Sequence, residues 1–140
     1  MTTLTELFGE PISVYTVADG IADDVMVLAP PADTDEAGYR LPVTFTKAAW
    51  RDLVEWDDDP AQDEAGRLWD VLTMVRRAAK AAATDPGSRH AFSLYRVPFL
   101  TRSGARSRAE QAKLVRAHVV CQAFDRSGRP CLTILLPGED

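Results

Sequence analysis

The densest concentration of groups able to do chemistry is Asp57, Asp58, Asp59, Asp63 and Glu64, five carboxylates within eight positions. Carboxylates at this spacing can hold a divalent cation or exchange a proton with a substrate. The same residues also have a structural use. Acidic side chains before and inside a first helical turn complement the helix dipole, and Asp63 stands four before Arg67, the spacing of a surface ion pair. The structural use is the stronger expectation. A metal-dependent enzyme built on the 57–64 carboxylates remains an alternative, and no catalytic residue, metal ligand or cofactor is assigned.

The second constellation is basic. Arg96, Arg102, Arg106, Arg108, Lys113, Arg116, Arg126 and Arg129 fall in one stretch, with Tyr95 and Phe124 available for stacking. Such a stretch could track phosphates. Nucleic-acid binding through the 96–129 hairpin is therefore another alternative, with Arg96, Arg102, Arg106, Arg108 and Arg116 as its contacts. Against it stand a formal net charge of −5 and few aromatics in this region. The mild total conceals a division. Residues 1–88 hold 7 Lys/Arg against 17 Asp/Glu, whereas residues 89–129 hold 9 against 2. This division is a statement about partners more than about fold.

Other chemistry finds little material. The glycines at 9, 20, 38 and 66 stand isolated, so neither common phosphate-binding loop is present, and Ser103-Gly104 lacks the context of a nucleophile elbow. His90 and His118 are the two histidines. His118 and Cys121, three apart on an expected strand, would face opposite sides and could not ligate one metal. Cys121 and Cys131 flank an apparent two-residue turn at Ser127-Gly128, which sets Cys131 opposite Phe124 and Cys121 opposite Ile134. Their thiols then point to opposite faces and stay reduced.

The three tryptophans, Trp50, Trp56 and Trp69, belong to the central helices. The simplest expectation is that all three close the core. Trp50 and Trp56 are six apart and cannot share one narrow stripe, however, and an exposed tryptophan is a common interface anchor. The candidate partner-binding surface is accordingly Trp56, Asp57, Asp58, Asp59, Asp63, Glu64 and Trp69.

The elements that must position these groups follow from periodicity. Phe8 to Tyr15 alternates as a short strand, Thr16 caps a short helix to about Asp23, and Val25 to Leu28 reads as a buried strand. One helical turn is expected near Asp35. Pro42 to Phe45 is extended, and Thr46 caps a helix to about Trp56. Leu68, Val71, Leu72, Val75, Ala78, Ala79 and Ala82 predict one long helix over 61–83, closed by Asp85-Pro86-Gly87. The rest reads as β: His90 to Phe99, Lys113 to Phe124 and Leu132 to Leu136. The expected fold is α+β in a single domain over 1–140. A small sheet with a C-terminal antiparallel meander packs against one long and one or two shorter helices.

No apolar run approaches the roughly 20 residues of a membrane span, and Met1 to Glu10 lacks the pattern of a secretion signal. A cytoplasmic location is expected. Arginine outnumbers lysine 13 to 3 and asparagine is absent, a composition typical of GC-rich genomes.

The phrases Phe8-Gly9-Glu10-Pro11-Ile12-Ser13-Val14-Tyr15-Thr16, Pro42 to Trp50, Gln62 to Leu72 and Leu136-Pro137-Gly138-Glu139-Asp140 together resemble a family of short uncharacterised proteins of actinobacteria, their phages and plasmids. The likeness runs from Phe8 onward and is weakest over 85–116. The resemblance implies a setting and no activity. With no catalytic constellation, a divided charge and a candidate exposed tryptophan, the expected function is that of a non-enzymatic accessory protein of phage or mobile-element type that binds a host macromolecule, such as an inhibitor of a defence or regulatory protein.

Overall fold

A computed structural model of the chain describes residues 15–55, 63–96 and 113–139. Five strands form one open sheet: β1 (Met26–Leu28), β2 (Val43–Thr46), β3 (His90–Arg96), β4 (Lys113–Ala123) and β5 (Pro130–Leu135). Their spatial order is β1-β2-β5-β4-β3. The β3–β4 and β4–β5 pairs make the expected antiparallel meander, β1–β2 is antiparallel, and β2–β5 is parallel. The helices are α1 (Val17–Ala22), α2 (Pro31–Glu36), α3 (Lys47–Leu53), α4 (Glu64–Met74) and α5 (Arg76–Thr84). Helices and this mixed sheet together make the fold α+β. Among the described residues no helix is long and apolar enough to cross a membrane.

The core lies between the sheet and α3–α5. Val43, Phe45, Leu132, Ile134, Ala117, Val119, Cys121, Phe92 and Leu94 project to this side and meet Ala49, Leu53, Leu68, Val71, Leu72 and Val75. Alternation along each strand sends the intervening residues to the second face. There the Thr44 and Thr133 hydroxyls lie 2.9 Å apart, and Gln122 Nε2 donates to Thr133 Oγ1 at 2.8 Å, so the buried hydroxyls are satisfied.

Local chemistry explains the helix starts. Thr16 and Asp19 form a reciprocal capping box on α1. Gly20 lets that helix approach β1, for a Cβ there would stand 2.5 Å from Met26 Cγ. Thr46 accepts from Ala49 N at 3.1 Å and so caps α3, which ends at Leu53 rather than at Trp56. Asp63 accepts from Gly66 N at 2.6 Å and caps α4.

Three expectations change. The single long helix over 61–83 is two: Val75, with φ −80 and ψ −10, ends α4 and begins α5. The break accompanies long-range anchoring on both sides. Tyr39 Oη donates to Leu72 O at 2.5 Å, and Arg76 donates to Ala37 O at 2.6 Å. Arg67 is not on the solvent side with Asp63. It is 2% exposed and donates to Val54 O and Asp52 O, at 3.0 and 3.3 Å.

The β4–β5 connection is also longer than a two-residue turn. Phe124 N donates to Arg129 O, and Asp125 accepts from Ser127 and pairs with Arg129 inside the loop. Cys121 therefore pairs with Leu132, and Cys131 with Gln122. The register moves by two, so the thiols still face opposite sides, as expected. Both are free and buried. The expected strand over Phe8–Tyr15 lies outside the described residues apart from Tyr15.

Candidate protein-docking surface

Sequence order divides the charge, and the sheet keeps it divided. From Tyr15 to Ala29 there are three carboxylates, Asp19, Asp23 and Asp24, and no Lys or Arg, and these residues build α1 and β1 at one edge, whereas α2, with Asp33, Asp35 and Glu36, packs against α4. Strands β3 and β4 contain Arg96, Lys113 and Arg116 and no carboxylate, and β3 forms the other edge. With neighbouring strands about 4.8 Å apart, the two edge strands stand roughly 19 Å from each other. An ion pair of 3.8 Å between Asp19 and Arg126 links α1 to the β4–β5 loop. Among the described residues, β1 and β3 are otherwise separated by the width of the sheet.

At the basic edge the outer side of α4 meets β3. Leu68, Val71 and Leu72 turn α4 toward the sheet, which leaves Trp69, Asp70, Thr73 and Met74 outward. Phe92 and Leu94 enter the core, so Tyr95 points the other way, beside its cross-strand partner Leu114. Trp69 is 45% exposed, Met74 51%, Leu114 61% and Tyr95 70%. A cavity of about 310 Å³ opens here, lined by Asp70, Thr73, Met74, Ser93, Leu94, Tyr95 and Leu114. Large apolar side chains exposed together around a cleft are the composition of an interface more than of a solvated surface.

The residues expected from sequence to bind a partner fare differently. Trp56, Asp57, Asp58 and Asp59 lie outside the described residues. Asp63 and Glu64 begin α4, with Asp63 engaged as its cap. Trp69 lies one position before Asp70 of the cavity wall, and its carbonyl accepts from Thr73, another wall residue, at 2.9 Å. Trp50 packs edge-on against Phe45, with ring centroids 5.2 Å apart. The tryptophans thus do not all close the core.

Of the residues named for nucleic acid, Arg102, Arg106 and Arg108 lie outside the described residues. Arg96 ends β3, and Arg116 is exposed on β4 opposite Ser93. Among the described residues no three His, Cys, Asp or Glu side chains gather as a metal site. His118 and Cys121 occupy opposite faces of β4, as their spacing indicates.

Sequence reasoning passed over Met74 and Leu114 and named Tyr95 only for stacking on nucleic acid, although the signal was there. Met74 is an apolar residue out of phase with Leu68, Val71, Leu72 and Val75. Tyr95 and Leu114 stand on the polar side of their strands. No protein-family model, curated protein or solved structure matches the chain. The surface itself carries the functional argument.

Proposed function

We propose that this chain is a non-enzymatic accessory protein that works by binding another protein through the surface of Met74, Tyr95 and Leu114. The observation that carries this reading is the grouping of out-of-phase apolar side chains around one cleft at the junction of α4 and β3. The resemblance to short proteins of actinobacteria, their phages and plasmids supplies the setting, in which the bound protein belongs to the host. Inhibition of a host defence or regulatory protein is the activity that such binding would exert.

The test is affinity capture from an actinobacterial lysate, run with and without nuclease and repeated with the Met74→Asp variant. Met74 is half exposed, so the substitution should leave stability within about 0.5 kcal/mol. A protein retained by the wild type under both nuclease conditions and lost by Met74→Asp supports the reading. A protein held equally by both forms removes the cleft from it. Nuclease-sensitive capture favours nucleic acid, for which Tyr95 and Arg116 on one face of the β3–β4 ribbon are the specific support. In that case affinity for a single-stranded oligonucleotide falls steeply between 50 and 200 mM salt.

A further inference from the structure

We infer that the partner enters the site as an extended acidic segment that adds to the sheet as a sixth strand along β3. This rests on the proposed docking role of the same surface and names what fits it. Three observations converge. First, β3 is the edge strand, seven residues long, and among the described residues it pairs with β4 alone. Alternate residues of an edge strand direct N–H and C=O groups outward, which is a template for an incoming strand. Second, the cleft of Met74, Leu94, Tyr95 and Leu114 borders this edge, so alternate side chains of the added strand have an apolar place to go. Third, Lys113 and Arg116 are exposed on the neighbouring strand and β3 and β4 hold no carboxylate, Asp70 of α4 being the acidic residue among the cleft's lining, so the strand side of the edge favours negative charge.

The same facts disfavour a second copy of this chain. Antiparallel pairing of β3 with β3 would bring two basic edges together. Among the described residues the acidic edge offers the three residues of β1, too short a strand for stable addition. A partner segment that alternates apolar with acidic residues satisfies the pairing, the cleft and the charge together.

The experiment is selection of random eight-residue peptides on the full chain, with counter-selection on Met74→Asp and Leu114→Asp variants. The expected winners alternate apolar and acidic residues. A synthetic winner should bind at least roughly tenfold more weakly to a Lys113→Glu/Arg116→Glu variant. A proline scan of that peptide should abolish binding at alternate positions and be tolerated between them, because only every second residue bonds to β3.

Winners that need Met74 but accept proline everywhere, or carry no acidic residues, overturn strand addition while leaving the docking role intact. Failure to enrich any peptide over the two variants overturns it as well, and the lysate capture then decides the docking role separately. Concentration-dependent dimerisation of the wild type that is lost in Leu114→Asp would assign the edge to a second copy and overturn the inference.

Discussion

The guanidinium of Arg67 reaches from α4 to the carbonyl of Val54, 3.0 Å away, and closes the end of α3. A helix leaves its last carbonyls without intrahelical partners, and here a buried cation supplies the donors for Val54 and Asp52. Removing one side of a buried charged hydrogen bond strands the other. Arg67→Met should therefore cost about 2–4 kcal/mol. Arg67→Lys should restore only part, since one ammonium cannot reproduce the planar fork. Urea unfolding read at the midpoint, with unchanged slope, checks both; a Met variant as stable as the wild type would refute the role.

Thr46 works in two directions. Its hydroxyl accepts from Ala49 N and donates to Glu139 Oε2 at 2.7 Å, and that same carboxylate oxygen accepts from Leu136 N at 2.7 Å. Arg89 adds a bond to the Glu139 carbonyl. The start of α3 and the segment after β5 thus share one residue. Thr46→Ala should lose about 1–2 kcal/mol, and Thr46→Ser much less, as measured by denaturant unfolding.

Two partly buried carboxyls set a response to acid. The backbone N–H of Thr16, followed by its side chain, holds Asp19 below its ordinary value of 3.8. The side chain of Ser127, followed by Arg129, does the same for Asp125. A carboxyl lowered on folding stabilises the native state above its unfolded value, and that contribution disappears as pH falls through the folded value. Stability should therefore drop below about pH 4, and Asp19→Asn and Asp125→Asn should each flatten the drop. Thermal melts in steps from pH 5 to pH 2 test this; unchanged slopes in both variants would exclude these carboxyls.

Burial pushes both thiols, Cys121 and Cys131, above their ordinary value. The reactive thiolate is thus suppressed in the native state at neutral pH. Alkylation at pH 7.5 should be slow for the folded protein and reach two thiols on denaturation. A thiol whose value rises on folding stabilises below its unfolded value and loses that effect as pH rises. Stability should accordingly decline above about pH 9. Rapid native-state labelling of Cys131 would contradict its burial.

The elements were legible where the apolar period was unbroken, as in the alternation of Val115, Ala117, Val119 and Cys121 and the helical stripe from Leu68 to Ala82. Thr16 and Thr46 announced their helix starts because a cap is a local event, whereas the cap at Asp63 was hidden inside the helix expected from 61. What could not be read locally was decided by distant partners. The division at Val75 accompanies bonds from Tyr39 and Arg76 to carbonyls in other elements. Arg67 turned inward because the end of α3 needed donors.

The candidate surface was partly legible. Tyr95 stood out as a stacking residue, but Met74 and Leu114 were absorbed into their elements as ordinary apolar residues. Their phase marked them as surface; only the sheet order shows that they converge. The charge division was plain in the sequence, whereas its placement at opposite edges required the crossover between β2 and β5.

That crossover has a further meaning. Val43 lies beside Leu132 and Phe45 beside Ile134, and this parallel seam joins a ribbon of β1 and β2 to a meander of β3, β4 and β5. Neither piece owns a complete core: the first lacks the strands on which its helices rest, and the second lacks the helices that cover its apolar side. A break at the Pro86-Gly87-Ser88 bend, where Gly87 adopts φ +90 with open space around it, would leave two polypeptides that depend on one another for shape. The two halves would meet along the β2–β5 seam and through the packing of α4 and α5 on β3 and β4.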